Sequence, residues 1–298
     1  YGLFSMTSST DCTSFFTKTT EDAAILLQEI AGQDEKDGTT VPVKVPDYSV
    51  NLKKGVKGLK IGVPKEYFIQ GMNPAVEKTI RDAIKQYEEL GAEIHEVSLP
   101  HTKYALAVYY IITPSEVSTN LSRYDGIRYG YSIVNDPKRD QAKNLMEVYT
   151  KSRRYGFGAE AKRRIMVGAH TLSSGYYDAY YVQASKVRTL LRQDFAEAFK
   201  KVDLLLTPTS PDVAFKIGQK ADPLSMYLED LLLTAVSLAG VPAVTLPSGF
   251  AAPKDNPSQK LPVGLQLIAN YFDEASLLWA AYAYEQSTEW HKMKPPIS

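Results

Sequence analysis

The chain has 298 residues, of which 44% are hydrophobic and 23% charged, a balance typical of a folded globular protein. Its 34 basic and 34 acidic residues cancel, which argues against a protein that holds nucleic acid by charge alone. The single cysteine, Cys12, excludes an internal disulfide and fits a reducing compartment. The apolar stretches are too short to span a bilayer and the first residues lack a signal-peptide pattern, so the sequence predicts a cytoplasmic protein without membrane contact.

Helix-like and strand-like segments alternate over the first hundred residues. TTEDAAILLQEIAG predicts a helix that Thr19 caps and Gly32 stops, because a side-chain acceptor and a glycine are the usual helix boundaries. After a polar loop over 33–57 come the strand GLKIGVP, a helix from Pro74 to Gly91 and the strand AEIHEVSLP. Strand, helix and strand at these lengths are typical of an α/β fold with some parallel pairing.

The remaining residues continue this pattern after a long helical stretch. Residues 102–200 read as helices with a break near 125–140, and a further helix is predicted around 223–239 and another from Asp273 to about Gln286. We therefore expect an α/β fold with a mixed β-sheet covered by helices, in a single domain over residues 1–298. Its strands are predicted near 59–63, 92–98, 203–208, 243–248 and 263–269.

Familiar catalytic motifs are missing from the sequence. It contains no phosphate-binding glycine loop, no H-E-x-x-H and no G-x-S-x-G. The four histidines are scattered and have no partner at metal-ligand spacing, which favours structural or surface roles and predicts no metal site: His95, His101, His170 and His291. The basic run KRRI at 162–165 reads as a solvated helix face, or as a contact with tRNA or a partner subunit.

Arg188 is the most informative charged residue. If 176–195 is helical, it shares one stripe with apolar and aromatic side chains: Tyr177, Tyr181, Ala184, Leu191 and Phe195. A guanidinium on such a face must meet an anion, since burying it unpaired is costly. The anion is either a carboxylate of the protein or the carboxylate of a ligand, which the planar fork binds through two hydrogen bonds.

Several long motifs resemble one family. NLSRYDGIRYG, GFGAEAKRRIMVGAHTLSSGYYDAYYVQASKVR, DPLSMYLEDLLLT, SLAGVPAVTLPSGF and LPVGLQLIA resemble the glutaminase A subunits of tRNA-dependent amidotransferases, within the amidase-signature family. The resemblance implies that glutamine is hydrolysed and that its ammonia travels to a B subunit, which amidates Glu-tRNA(Gln) or Asp-tRNA(Asn). A small C subunit completes the complex. ATP and Mg are expected in the B subunit, no cofactor is expected in this chain, and tRNA is expected to contact it only indirectly.

The family's catalytic residues have no counterparts in the sequence. The resemblance implies a Lys and two Ser residues in an N-terminal half. The two Ser residues lie in glycine- and serine-rich runs that this chain lacks, and Ser173 and Ser174 match positions outside that triad. We therefore expect no catalytic residue here, an incomplete amidase-signature domain without its N-terminal catalytic half, and no activity alone. The alternatives are an inactive scaffold or partner-binding fragment, and a hydrolase of another small amide.

The resemblance also assigns substrate-binding residues. It implies that Arg188 binds the α-carboxylate of glutamine, that Tyr129 lines the pocket, and that Asp255 takes the α-ammonium, with Asp230 as the alternative. Most of the tyrosine cluster YYDAYY is expected to pack the helix of Arg188 against its neighbours.

Related A subunits carry Gly-Pro where this chain has Ser14-Phe15, which puts the local turn in question.

Overall fold

The structure is a computed structural model that describes residues 1–219, 226–253 and 256–295. The chain divides into two compact units. The first consists of Tyr1, Thr13–Leu106 and Thr189–Ser298, and the second of Gly2–Cys12 and Ala107–Arg188. The expectation of a single domain over the whole chain stays a prediction.

The regular elements alternate between strands and helices in the order expected. The strands are β1 (Lys60–Pro64), β2 (Glu93–Val97), β3 (Leu204–Pro208), β4 (Ala243–Ala251) and β5 (Leu261–Ala269). The α-helices described here are α1 (Thr20–Ile30), α2 (Pro74–Glu89), α3 (Ala105–Asn120), α4 (Leu145–Gly156), α5 (Ala159–Thr171), α6 (Gln183–Ala198), α7 (Thr234–Ala239) and α8 (Glu274–Ser287).

The five strands form one mixed sheet in the first unit, in the order β2-β1-β3-β5-β4. Strand β1 pairs in parallel with β2 and β3, whereas β5 runs antiparallel to both β3 and β4. The central strand β3 is buried at every position, which suits its run of apolar residues. The predicted α/β class and all five predicted strands are confirmed.

Helices α2 and α8 close the core over this sheet. Their apolar faces share one buried cluster with Ile61 and Leu267 of the strands. Two tyrosines join the helices: the rings of Tyr87 and Tyr284 stack with centroids 5.3 Å apart, and the Tyr87 hydroxyl donates to the carbonyl of Ala280 at 3.0 Å. Burial, with Tyr284 beside it, raises the pKa of the Tyr87 hydroxyl, so both phenols stay neutral in the core.

The two helix starts predicted from the sequence, after Thr19 and at Pro74, are present. The Thr19 hydroxyl accepts from the Asp22 amide at 3.1 Å at the start of α1, and Asn73 accepts from the Ala75 amide at 3.0 Å where Pro74 opens α2. The N-terminus of α1 is also held by Glu285 of α8, whose buried carboxylate accepts from the amide and hydroxyl of Thr20 at 2.8 and 2.9 Å.

In the second unit, helices α3 and α5 cross at very close range. Gly168 of α5 lies directly on the backbone of Pro114 in α3, leaving no room for a side chain. Beside this crossing the hydroxyls of Ser115 and Thr171 hydrogen-bond at 2.7 Å, and both residues are buried. The predicted break after α3 is also present, with short 3-10 turns and loops between α3 and α4.

The predicted helix around 223–239 is present but interrupted in the part that the structure describes. The chain is helical at 226–227, forms a short 3-10 helix over Leu228–Asp230 and a turn over 231–233, and continues as α7, which is capped by Gly240 with φ 78°. A run of leucines predicts burial, and Leu232 and Leu238 are buried, but it does not specify a continuous helix. Residues 223–225 of that prediction lie outside the described residues.

Among the described helices, none is long and apolar enough to cross a membrane.

Candidate functional site

The site is built around a tight turn near the start of the chain. The Asp11 carboxylate accepts hydrogen bonds from the Met6 amide at 2.8 Å, from the Thr7 amide and hydroxyl at 3.0 and 2.6 Å, and from the Ser5 hydroxyl at 2.9 Å. Partial burial alone would raise the pKa of the Asp11 carboxyl, but the hydrogen bonds, led by those from Thr7, together lower it. We call residues 5–11 the Asp11 turn.

Helix α3 holds this turn with two polar side chains one helical turn apart. Glu116 accepts from the Ser9 amide at 2.9 Å and from the Ser9 hydroxyl at 2.6 Å. The buried Asn120 donates to the Met6 carbonyl at 3.2 Å and to the Ser8 hydroxyl at 2.9 Å. Because the two residues are four apart in sequence, they lie on the same face of the helix.

Arg188 of α6 is anchored on the same turn. Its side chain is buried, with 8% of the residue exposed, and its two terminal nitrogens donate to the Ser9 hydroxyl at 2.5 Å and to the Ser9 carbonyl at 2.8 Å. Glu116, Ser9 and Arg188 therefore form a continuous hydrogen-bonded chain. Ser9 is thus the common hydrogen-bonding partner of a carboxylate and a guanidinium.

The predicted apolar stripe around Arg188 is present only within α6. Ala184, Leu191 and Phe195 are buried, but Tyr177 is 44% exposed. The reason is a π-helical turn over Asp178–Val182, which the Tyr177 carbonyl closes by accepting from the Val182 amide at 3.1 Å. The extra residue in this turn rotates the preceding side chains off the stripe that an unbroken α-helix would make.

The tyrosine cluster does not pack as the sequence predicts. Tyr176, Tyr177 and Tyr180 are exposed by 44, 44 and 42%. The ring of Tyr176 contacts those of His170 and Tyr180, with the Tyr176 and His170 centroids 4.4 Å apart, and the ring of Tyr177 stacks on that of Tyr181. The π turn places these rings on the surface of the second unit, which corrects the expectation that they hold α6 against its neighbours.

Tyr181, the last tyrosine of the cluster, lies near both ends of the hydrogen-bonded chain. Its partial burial, then its electrostatic interactions with the Glu116 carboxylate and the Tyr177 phenol, raise the pKa of its hydroxyl, while Arg188 lowers it. The phenol is therefore a neutral hydrogen-bonding group beside a carboxylate and a guanidinium.

Tyr129 is presented by a turn in the motif RYDGIRYG. The Asp125 carboxylate accepts from the Ile127 and Arg128 amides at 2.8 and 3.0 Å, and Gly126 has φ 81°, a left-handed conformation that glycine adopts freely. The ring of Tyr129 is 45% exposed and packs against Phe4, with centroids 5.4 Å apart. Residues 2–12 thus contact both Tyr129, through Phe4, and Arg188, through Ser9.

Of the two acidic residues predicted to bind the α-ammonium, only Asp230 lies within the described residues. Asp255 lies outside the described residues. Asp230 ends the 3-10 helix Leu228–Asp230 of the first unit and is partly exposed.

Ser173, at the end of α5, donates its hydroxyl to the His170 carbonyl at 2.7 Å, a local helix-end bond. In the ranges that the structure describes, no group of three His, Cys, Asp or Glu residues is arranged to hold a metal ion.

Sequence reasoning missed Ser9, Asp11, Glu116 and Asn120. The signal available was the stretch SMTSSTDCT, whose Ser, Thr and Asp residues are typical of side-chain-capped turns. Chemically, the assembled site offers a buried guanidinium oriented by Ser9, with the neutral phenol of Tyr181 near it, and a guanidinium of this kind binds anionic groups.

Comparison with known proteins decides the family. The chain matches the Amidase family over residues 1–278. This chain belongs to the amidase family. Among curated amidase relatives, the A subunit of glutamyl-tRNA(Gln) amidotransferase from Carboxydothermus hydrogenoformans is 54% identical over 299 aligned positions, and that from Thermodesulfovibrio yellowstonii is 54% identical over 296. The chain is covered to 100 and 99%, but it spans only 59 and 58% of these relatives.

Solved amidase structures support the same assignment. The crystal structure of the A subunit of glutamyl-tRNA(Gln) amidotransferase from Thermotoga maritima superposes with a TM-score of 0.67 at 38% identity, covering 91% of this chain and 51% of that one. The peptide amidase PAM in complex with chymostatin gives a TM-score of 0.69 at 24% identity, over 100% of this chain and 57% of that one, and shows the shared fold alone. The resemblance to A subunits in the amidase-signature family is confirmed.

Proposed function

We propose that this chain is the glutamine-binding part of the A subunit of a tRNA-dependent amidotransferase. Arg188 binds the α-carboxylate of glutamine, and Tyr129 lines the pocket. The observation that carries this proposal is the buried guanidinium of Arg188, held on Ser9 in a chain 54% identical to such subunits. Glutamine hydrolysis then needs a nucleophile and base from the remainder of the subunit, because the relatives are longer than this chain.

The physical basis is the match between a guanidinium and a carboxylate. Arginine has five N–H donors in a rigid plane, and Ser9 orients that plane through one donor on each terminal nitrogen of Arg188. A carboxylate entering a buried site gains more from these donors than it would in water, since competition from solvent is reduced.

The ammonium group and the side chain of glutamine also need partners in the site. Asp255, or Asp230 in its place, accepts the α-ammonium, since an amino acid needs one partner for each charge. The exposed ring of Tyr129 covers the aliphatic part of glutamine. Ammonia passes to a B subunit that holds ATP and Mg and amidates Glu-tRNA(Gln) or Asp-tRNA(Asn), with a C subunit completing the complex in the cytoplasm.

The test uses a hybrid protein, in which this chain replaces the matching 59% of the Carboxydothermus hydrogenoformans relative, assembled with that organism's B and C subunits. Glutamine hydrolysis is measured as ammonia release over a range of glutamine concentrations. Arg188→Lys should raise KM about ten- to a hundredfold. A charged hydrogen-bonded pair contributes about 1.5–3 kcal/mol, and a single ammonium cannot reproduce the planar fork.

The matched control is Arg192→Lys, the same substitution one helical turn further along α6 at an exposed position, which should leave KM unchanged. Two results would contradict the proposal. One is an unchanged KM in the Arg188→Lys hybrid. The other is a hybrid that assembles but releases no ammonia under conditions in which the unaltered relative is active.

A further inference from the structure

The hydrogen-bonded chain that ends at Arg188 has a fixed direction. An ionised carboxylate only accepts hydrogen bonds and a guanidinium only donates them. The Ser9 hydroxyl between them must therefore donate its proton to Glu116 and turn its lone pairs to Arg188. The Ser9 amide also donates to Glu116, and the Ser9 carbonyl accepts from Arg188. The backbone of Ser9 therefore donates and accepts in the same direction as its hydroxyl.

This arrangement restrains the guanidinium in two places. One N–H on each terminal nitrogen is directed at a Ser9 oxygen, and two contacts to one residue define the plane of the fork. Holding a long side chain in its binding conformation before the ligand arrives removes the entropic cost of ordering it later. The restraint depends on Ser9 staying in place, and Glu116 is what fixes the amide and hydroxyl of that residue.

We propose that Glu116 is a positioning residue which, through Ser9, sets the orientation of the Arg188 guanidinium for the carboxylate of an amino-acid substrate. This inference rests on the proposed function. It adds a residue of α3 that touches neither the fork nor, in this scheme, the substrate.

Positioning and charge make opposite predictions at this residue. A negative carboxylate close to Arg188 weakens the pull of the guanidinium on a second carboxylate, so removing the charge alone would tighten substrate binding. Loss of positioning weakens binding, because the fork is then oriented less precisely. Glu116→Gln removes the charge and one acceptor oxygen together, so the direction of the change in KM tells which effect dominates.

The fold offers reasons to expect these variants to remain folded. Glu116 is partly exposed, and the Asp11 turn keeps its other ties, to Asn120 of the same helix and within itself through Asp11. The matched control is Glu147→Ala on α4. Glu147 also accepts from a backbone amide, that of Lys143 at 3.0 Å, but its contacts lie away from Ser9.

The first experiment measures KM and kcat for glutamine in the hybrid protein. Glu116→Ala should raise KM about tenfold and change kcat less than about twofold, and Glu116→Gln should raise KM less. The double variant Glu116→Ala/Arg188→Lys should be no worse than Arg188→Lys alone, because Glu116 acts through Arg188. Glu147→Ala should leave KM unchanged.

The second experiment observes Arg188 directly in this chain, from the NMR signal of its Nε–H group in ¹⁵N-labelled protein. Glu116→Ala should shift and broaden that signal, as the side chain gains freedom, and Glu147→Ala should not. An unaltered Arg188 signal, or additive effects of Glu116→Ala and Arg188→Lys on KM, would overturn the positioning role. If Arg188→Lys raises KM and Glu116→Ala does not, only this inference fails. If Arg188→Lys has no effect on KM, the proposed function itself fails.

Discussion

The crossing of α3 and α5 gives a prediction about stability that the structure makes quantitative. A Cβ atom added at Gly168 would lie 1.9 Å from the Pro114 carbonyl oxygen, 2.5 Å from its carbon and 2.7 Å from Ser118 Cβ. Two of these three atoms belong to the backbone, so no side-chain rotation relieves the clash. In Gly168→Ala the Cβ and the Pro114 oxygen must move apart by at least about 1.5 Å to reach ordinary contact distances.

The expected cost follows from two opposing effects. Overpacking of this kind destabilises by about 1–3 kcal/mol, and rigid backbone neighbours favour the upper end of that range. The higher helix propensity of alanine offsets about 1 kcal/mol of this destabilisation, because glycine is the poorer helix former. We therefore expect Gly168→Ala to lower the free energy of unfolding by about 2 kcal/mol, with the Ser115–Thr171 hydrogen bond beside it weakened.

The measurement is urea unfolding followed by far-UV circular dichroism, with the midpoint and the slope determined separately. The control is Ala169→Gly at the next, exposed position of α5, which should cost about 1 kcal/mol through helix propensity alone. A Gly168→Ala protein as stable as the parent, or more stable by the propensity difference, would refute the close crossing.

Three further predictions concern the site. Gly126→Ala should distort the turn before Tyr129 and destabilise the chain by about 1–3 kcal/mol in urea unfolding, because φ is 81° and the added Cβ would lie 2.3 Å from Ser152 Oγ; an unchanged midpoint would contradict this. Asp11→Asn should lower stability at pH 7, and the difference from the parent should shrink as the pH falls below 3.8. A carboxyl whose pKa is lowered in the folded state stabilises the fold at pH values above its unfolded pKa, and this stabilisation is lost when the carboxyl is protonated. A difference in Tm between Asp11→Asn and the parent that does not change with pH would therefore count against the Asp11 hydrogen bonds. The purified chain should release no ammonia from glutamine, and turnover that Ser173→Ala abolishes would show that this serine is a nucleophile after all.

How far the sequence predicts the site depends on the distance between the interacting residues. It predicted that Arg188 is buried, because an arginine among Ala184, Leu191 and Phe195 at helical spacing has to face the interior. It did not predict the partner: Ser9 lies 179 positions away from Arg188 and 107 from Glu116. Periodicity states which face of a helix is covered, and it carries no information about which distant segment covers it.

By itself the sequence determined the local elements of this protein. Apolar runs bounded by polar turns specified five strands, and the side chain of Thr19 and the ring of Pro74 specified the starts of two helices, because these effects act within a few residues. The tertiary structure alone decided where the tyrosine cluster points, since one π turn changes the face of every residue before it. It also decided how Arg188 is held, because a hydrogen bond between segments far apart in sequence exists only once the chain has folded.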